Sequence, residues 1–348
     1  MQILLADGSA VYKKMFTKAV AEVRAVAAVT YAANGDEALE AIRRQDFDIV
    51  IIDAELQKLG ALALLSEVLH AIPKALVLVT ARPSHANSKA CAQALSAGAF
   101  DCMTKPIYDS YAENIDAIKN KMIDVIRVLH ERRERKEARP SFPASKKKSG
   151  FTPEIVLIAA STGGPQAVET LLSNLNGQFP VPILMVQHIL RFCTATLAGR
   201  LNDKSRLTVK VAQDGETVAA GTVYMAPGDM HMKLDADNRI AYDDSPAIHG
   251  VRPAADVLFE SVAESFSGSR VMAIVLTGMG QDGANGLARL KEKRNCFCLA
   301  QSEKSCVVYG MPRAAIEGGF ADMVLDLEDI AREVEAIVSG SPPGGESQ

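Results

Sequence analysis

From Ile3 to about Ile126, short apolar runs alternate with amphipathic stretches, and the same alternation restarts at Glu154. A strand covered by helices on both faces reads as an unbroken apolar run, and a helix supplies the crossover to its parallel neighbour. The chain is thereby confined to the α/β class, with parallel sheets between helical layers. Strands are predicted at residues 2–6, 27–31, 48–52, 75–80 and 100–103, and again at 155–160, 182–186, 223–225, 271–276 and 295–300. The first five predict a flavodoxin-like five-stranded parallel sheet and the later ones a doubly wound α/β sheet, whose carboxyl strand ends form the functional edge.

Between the two patterns the periodicity gives way to Glu131-Arg132-Arg133-Glu134-Arg135-Lys136-Glu137 and then to Pro, Ser and Ala followed by Lys146-Lys147-Lys148. That composition reads as a solvated helix end followed by a linker. The 348 residues are about twice a typical domain, so two cores are expected. The predicted division is a first domain over 1–126, a linker over 127–150, a second domain over 151–340 and a disordered Gly- and Pro-rich tail over 341–348.

Hydrophobic residues make up 48% of the chain and charged residues 23%, which excludes the disordered and membrane classes. No apolar run nears the roughly 20 residues needed to cross a bilayer, and the N-terminus lacks a basic start, so a cytoplasmic protein without membrane insertion is expected. A formal net charge of -4 argues against a nucleic-acid partner. The six cysteines show no C-x-x-C spacing and are expected to be reduced packing residues. Cys296 and Cys298 would share one face of a strand, but nothing nearby supplies further zinc ligands.

The run from Ile155 to Ala160 leads into Ser161-Thr162-Gly163-Gly164-Pro165 and then a helix over 166–175. A serine at such a turn presents its hydroxyl at the sheet edge, where the unpaired N–H groups of the first helical turn face any anion. That suits acyl transfer through a tetrahedral oxyanion, provided a base lies within reach of the serine. His188 ends the next apolar run, which brings it to the same edge if the strands are parallel neighbours. The run over 271–276 leads into Thr277-Gly278-Met279-Gly280-Gln281-Asp282-Gly283, where Asp282 is placed to orient the imidazole. Each residue alone also fits a structural role: Ser161 as a helix cap, His188 as a packed histidine, Asp282 as a turn residue. Their convergence at three carboxyl strand ends points to a site. Nucleotide binding fares worse, because the turn lacks the P-loop lysine and the three-glycine spacing of a dinucleotide fold. An α/β-hydrolase elbow is not matched either, since Ala159 replaces its first glycine and the order here is serine, histidine, aspartate.

At these residues the chain resembles the chemotaxis protein-glutamate methylesterases, the CheB family, which join an N-terminal receiver to a C-terminal esterase. The matching blocks include Ala160 to Pro165, Gln187-His188, Ala226-Pro227-Gly228-Asp229, His249-Gly250-Val251-Arg252-Pro253, Leu276 to Gly283 and Val308-Tyr309-Gly310-Met311-Pro312. The resemblance implies a catalytic triad of Ser161, His188 and Asp282, with oxyanion donors from the backbone at Thr162 and Met279. It implies a serine hydrolase that needs no cofactor, removes methyl groups from γ-glutamyl esters on the cytoplasmic helices of methylated chemoreceptors, and deamidates receptor glutamines. This chain departs from the family at Ile189-Leu190, where Met-Pro is usual, and at Ser302, where an acidic residue is usual.

For the first domain the resemblance implies a receiver phosphorylated by a histidine kinase, with Asp53 as phosphoacceptor, Asp7 in the acidic pocket, Thr80 as the switch hydroxyl and Lys105 as the phosphoryl-binding lysine. Gly8 stands where the family has a second acid, and Ala54 to Gly60 lacks the usual Met-Pro and Asp-Gly. Mg²⁺ is therefore expected to be weakly held or absent, with Asp7, Asp53 and Glu55 as its ligands. The alternative for the whole chain is a regulatory docking protein with a pseudo-receiver and vestigial esterase activity.

Overall fold

The computed structural model describes residues 1–134 and 150–340, which fall into two compact units, with the division near Pro140. Of the linker expected over 127–150, residues 127–134 instead continue the last helix of the first unit, Tyr111–Glu134, whose amphipathic pattern runs past residue 126; residues 135–149 and the whole tail over 341–348 lie outside the described residues.

The first unit runs β1 (Gln2–Ala6), α1 (Ala10–Ala21), β2 (Ala28–Ala32), α2 (Gly35–Arg44), β3 (Ile49–Asp53), α3 (Ala61–Ala71), β4 (Leu76–Ala81), α4 (His85–Ser96), β5 (Asp101–Thr104) and α5 (Tyr111–Glu134). Its sheet has the order β2-β1-β3-β4-β5 with every pair parallel, as the alternating pattern requires. Side chains cap the entries to several helices: Ser9 Oγ accepts from the Tyr12 N–H, and Asn34 Oδ1 from that of Glu37. The central strands β3 and β4 are buried throughout, which is why they read as unbroken apolar runs. One expectation is corrected here. Cys91 of α4 and Cys102 of β5 are joined in a disulfide, with Cα atoms 6.0 Å apart, whereas the sequence reading left every cysteine reduced. Neighbouring packing across α4 and β5, 11 residues apart in sequence, is what brings them together, and no spacing motif encodes it.

The second unit runs β6 (Ile155–Ala160), α6 (Gly164–Ser173), β7 (Ile183–Gln187), α7 (Arg191–Lys204), β8 (Thr208–Val211), β9 (Thr222–Met225), β10 (His231–Leu234), β11 (Ile240–Asp243), α8 (Ala255–Ser265), β12 (Arg270–Val275), α9 (Ala284–Lys293), β13 (Asn295–Gln301), α10 (Met311–Glu317), β14 (Met323–Leu325) and α11 (Leu327–Val338). Seven parallel strands take the order β14-β13-β12-β6-β7-β9-β8, and β10 and β11 form a separate antiparallel hairpin. Alternate residues of β6 enter opposite layers. Val156, Ile158 and Ala160 pack with Leu171 and Val334, while Ile155, Leu157 and Ala159 pack with Leu258, Phe259 and Leu287. Cys296 and Cys298 of β13 fall in that second layer as buried thiols.

From β6 the chain winds toward β7, β9 and β8, and later returns on the other side through β12, β13 and β14. The ends of β6, β7 and β12 thus flank the switch in strand order, where an open α/β sheet leaves a crevice. Among the described residues, no helix is long and apolar enough to cross a membrane.

Candidate active site

Register places the first two candidates. Ala160 of β6 is paired with Gln187 of β7, so Ser161 and His188 are the next residues along each strand. The His188 N–H continues the ladder by donating to Ala160 O at 3.0 Å. Gln187 is buried, and its Nε2 donates to Ser161 O and to His188 O, each at 2.9 Å. One amide side chain therefore holds the backbones of the serine and the histidine together, a role the sequence reading did not assign to it.

Asp282 sits in the loop after β12, the other neighbour of β6, and its Oδ2 lies 2.7 Å from His188 Nε2. With Nε2–H donating to the carboxylate, Nδ1 is the ring nitrogen left with a lone pair. Asp282 is 3% exposed and accepts two backbone N–H bonds at the start of α8: from Ala255 to Oδ2 at 2.6 Å and from Asp256 to Oδ1 at 2.9 Å. Burial alone would raise its pKa. The imidazole and the two amide donors outweigh that and hold the carboxyl below its ordinary value, so Asp282 is an anion facing the ring.

The two backbone donors expected to hold an oxyanion are oriented by a shared device. Ser161 O accepts from the Gly164 N–H at 2.7 Å as well as from Gln187, which fixes the plane of the Ser161–Thr162 peptide. In a trans peptide the N–H points opposite to the C=O, so the Thr162 N–H is turned away from both partners. Gly278 O likewise accepts from the N–H groups of Gly310 at 3.0 Å and Met311 at 2.9 Å, which turns the Met279 N–H the other way. Neither N–H donates to a protein acceptor among the described residues.

The two loops that carry these donors are tied to each other. Thr277 O accepts from the Ser161 N–H at 3.0 Å, and Thr277 Oγ1 donates to Thr162 O at 2.9 Å while accepting from the Val308 N–H at 2.9 Å. The Thr277 N–H in turn donates to the buried Gln301 Oε1 at 2.8 Å. Gly278 has no room for a side chain: a Cβ there would stand 2.8 Å from Ser161 Cβ and overlap Met311 Sδ. At the turn itself Gly163 has φ of 77°, a left-handed conformation that favours glycine. The geometry thus places Ser161, His188 and Asp282 at or just beyond the ends of three adjacent strands, with Thr162 and Met279 in the same loops, although Ser161 and the imidazole share no hydrogen bond. A serine, an imidazole held by a carboxylate and outward-turned N–H donors at one sheet edge are the groups that acyl transfer uses.

In the first unit, Asp7 ends up just past β1, Asp53 at the end of β3, Thr80 in β4 and Lys105 just past β5. Lys105 Nζ lies 2.7 Å from both Asp7 Oδ2 and Asp53 Oδ2, above the Tyr12 ring at 5.0 Å. All four side chains are buried, and the Thr80 hydroxyl has no hydrogen-bond partner there. Burial raises the Asp7 pKa in spite of Lys105 and the Ser9 N–H, so this carboxyl holds its charge less firmly than Asp282 does. Glu55 does not join the pair, because Arg82 at 2.7 Å and Asn87 at 3.1 Å hold its carboxylate elsewhere. Mg²⁺ needs several hard oxygen ligands in near-octahedral order. Two carboxylates already bridged by an ammonium, with glycine at position 8, do not fit that ion. Among the described residues, no group of three or more His, Cys, Asp or Glu is arranged for a metal.

Comparison with known proteins matches residues 156–334 to the CheB methylesterase family and residues 3–118 to the response regulator receiver domain. A protein-glutamate methylesterase/protein-glutamine glutaminase of Geobacillus kaustophilus is 35% identical over 97% of this chain and 99% of its own length. One of the same name from Pyrococcus abyssi is 33% identical over 99% of this chain and 95% of its own. The solved CheB methylesterase catalytic domain of Thermotoga maritima is 42% identical with a TM-score of 0.50, covering 53% of this chain and 97% of that domain.

Proposed function

The chain belongs to the CheB methylesterase family, with an N-terminal response regulator receiver domain, and on that footing we propose how its residues carry out protein-glutamate methylester hydrolysis and protein-glutamine deamidation. Ser161 Oγ attacks the γ-carbonyl of a methylated glutamate, and its proton passes to His188 Nδ1, since Nε2 is engaged with Asp282. The oxyanion is held by the N–H groups of Thr162 and Met279. Collapse breaks the ester bond, His188 returns the proton to the departing methoxide, and methanol leaves. Water then attacks the acyl-enzyme with His188 as base, releasing glutamate and restoring Ser161. A glutamine side chain follows the same path, with ammonia as leaving group. No step needs a metal or an organic cofactor.

The observation that carries this reading is the 2.7 Å contact between Asp282 Oδ2 and His188 Nε2 at the strand ends next to Ser161, because a helix cap or a docking surface has no need of an imidazole oriented by a carboxylate there. The substrate is a methylated chemoreceptor, reached in the cytoplasm on its helices, and the receiver regulates access in response to a histidine kinase that phosphorylates Asp53. Lys105 Nζ lies 2.7 Å from that carboxylate. A pseudo-receiver that acts by docking is the second reading, favoured by Gly8 and by the diversion of Glu55 to Arg82. Mass spectrometry after fluorophosphonate treatment tests the nucleophile: the reading expects one adduct, on Ser161, and an adduct that persists in Ser161→Ala removes this serine from the mechanism.

A further inference from the structure

Asp282 and Asp256 cap each other's helices. Asp282, just before α9, accepts the N–H groups of Ala255 and Asp256 at the start of α8. Asp256, in the first turn of α8, sends its own carboxylate the other way and accepts the Gly286 N–H in the first turn of α9 at 2.8 Å. Two carboxylates thus exchange places at two helix N-termini, where each is favoured by unpaired N–H groups and the aligned backbone dipole. The helices pack closely enough to require glycine at 286, where a Cβ would stand 3.2 Å from Asp256 Cα and 3.0 Å from Asp256 O.

Asp256 is 1% exposed and has two further partners: its Oδ2 lies 3.2 Å from His249 Nε2 and 3.3 Å from Asn285 Nδ2. Three donors on one buried carboxylate exceed what a helix cap needs. His249 belongs to the segment His249 to Pro253, part of the sequence resemblance for which the triad offers no role. The carboxylate of Asp282 can keep its direction toward His188 only if the first turn of α8 stays in place, and Asp256 is the residue that ties that turn to the loop carrying Asp282.

We propose that Asp256, held by His249, is a positioning residue of the esterase: through the reciprocal caps it fixes the direction of the Asp282 carboxylate and so the basicity of His188. The charged groups facing the two carboxylates are His188, His249 and Glu260 of α8. The inference builds on the esterase reading for its kinetic consequence, but the His188 titration can be read without any turnover.

The test compares full-length wild type with Asp256→Asn and Asp256→Glu, following methanol release from methyl-labelled chemoreceptor membranes and the His188 titration by NMR of histidine-labelled protein. Both variants are expected to lose about tenfold in kcat with KM unchanged, by analogy with the loss on removing a hydrogen-bond partner that orients a metal-ligating side chain. The His188 midpoint is expected to fall in both. Asp256→Glu keeps the charge but moves it by one methylene, so a midpoint that falls there reports displacement of Asp282 and not loss of a charge. Wild-type kcat and midpoint in Asp256→Asn, even with a lower Tm, would overturn the proposal, as would full recovery in Asp256→Glu. If neither variant folds, His249→Ala, at a residue whose side chain is 32% exposed, is expected to lower the midpoint in the same direction, and an unmoved midpoint there is contradictory. A wild type that releases no methanol while the midpoint still falls in the variants would defeat the esterase reading and leave this inference standing.

Discussion

Asp282 Oδ2 lies 2.7 Å from His188 Nε2, across 94 residues of sequence, and both of its oxygens also accept N–H bonds from the start of α8. A carboxylate fixed in this way sets the imidazole tautomer that leaves Nδ1 as the base. Replacing it with the isosteric amide, Asp282→Asn, is expected to reduce kcat by about 10⁴ with KM little changed, the loss found when the wrong tautomer is imposed on a serine triad. Steady-state hydrolysis of receptor methyl esters checks this, and a loss under tenfold would show that Asp282 does not orient the ring.

The same residue predicts a pH dependence of stability. Its folded pKa lies below the ordinary 3.8, so its contribution is fully present above the unfolded value and is lost as pH falls through the lower folded one. Thermal melts of wild type and Asp282→Asn are expected to differ at pH 5 by about 1–3 kcal/mol, the scale for a buried hydrogen-bonded group left unpaired. The gap should close below pH 3.8. A gap that widens as pH falls from 5 to below 3.8 would contradict the assignment.

Gly278 is the tightest point of the oxyanion loop, with Ser161 Cβ and Met311 Sδ where its own Cβ would be. Gly278→Ala is expected to displace the serine or the Met279 N–H and to lower kcat by about 10²–10³, the scale for loss of one oxyanion donor. Far-UV circular dichroism should remain that of the wild type. Unchanged kcat in a folded variant would remove this loop from the chemistry.

How much of this site was legible in the sequence follows from which interactions are local. Strands buried on both faces, such as Ile155 to Ala160, announce themselves as apolar runs, and their ends placed Ser161, His188 and Asp282 at one edge. Gln187, Thr277 and Asp256 escaped because their roles depend on side chains meeting across the fold: Asp256 and Gly286 are 30 residues apart, Thr277 and Val308 31. The edge strands β8 and β14 and the hairpin β10–β11 went unpredicted because such strands are short and partly exposed, and some, such as Ile240–Asp243, mix apolar with polar residues. Cys91 and Cys102 are paired only by the packing of α4 on β5.

The receiver pocket predicts a gain of function. Gly8 has room for a side chain at the cost of a small shift, since a Cβ there would lie 3.1 Å from Ala33 O. Gly8→Asp would add a third carboxylate beside Asp7 and Asp53. Titration calorimetry is expected to show Mg²⁺ binding in the variant at least tenfold tighter than in the wild type, in line with the dependence of this hard cation on oxygen ligands. Equal binding by the two proteins would show that the native pocket already holds the ion.

The most direct measurement is methanol release from methyl-labelled chemoreceptor membranes by the purified chain and by Ser161→Ala, each also tested as residues 150–348 alone. The account predicts release by the wild-type protein and none above background from Ser161→Ala. Equal release by both would contradict the assignment of Ser161 as nucleophile, and no release from the wild-type chain in either form would contradict the esterase itself.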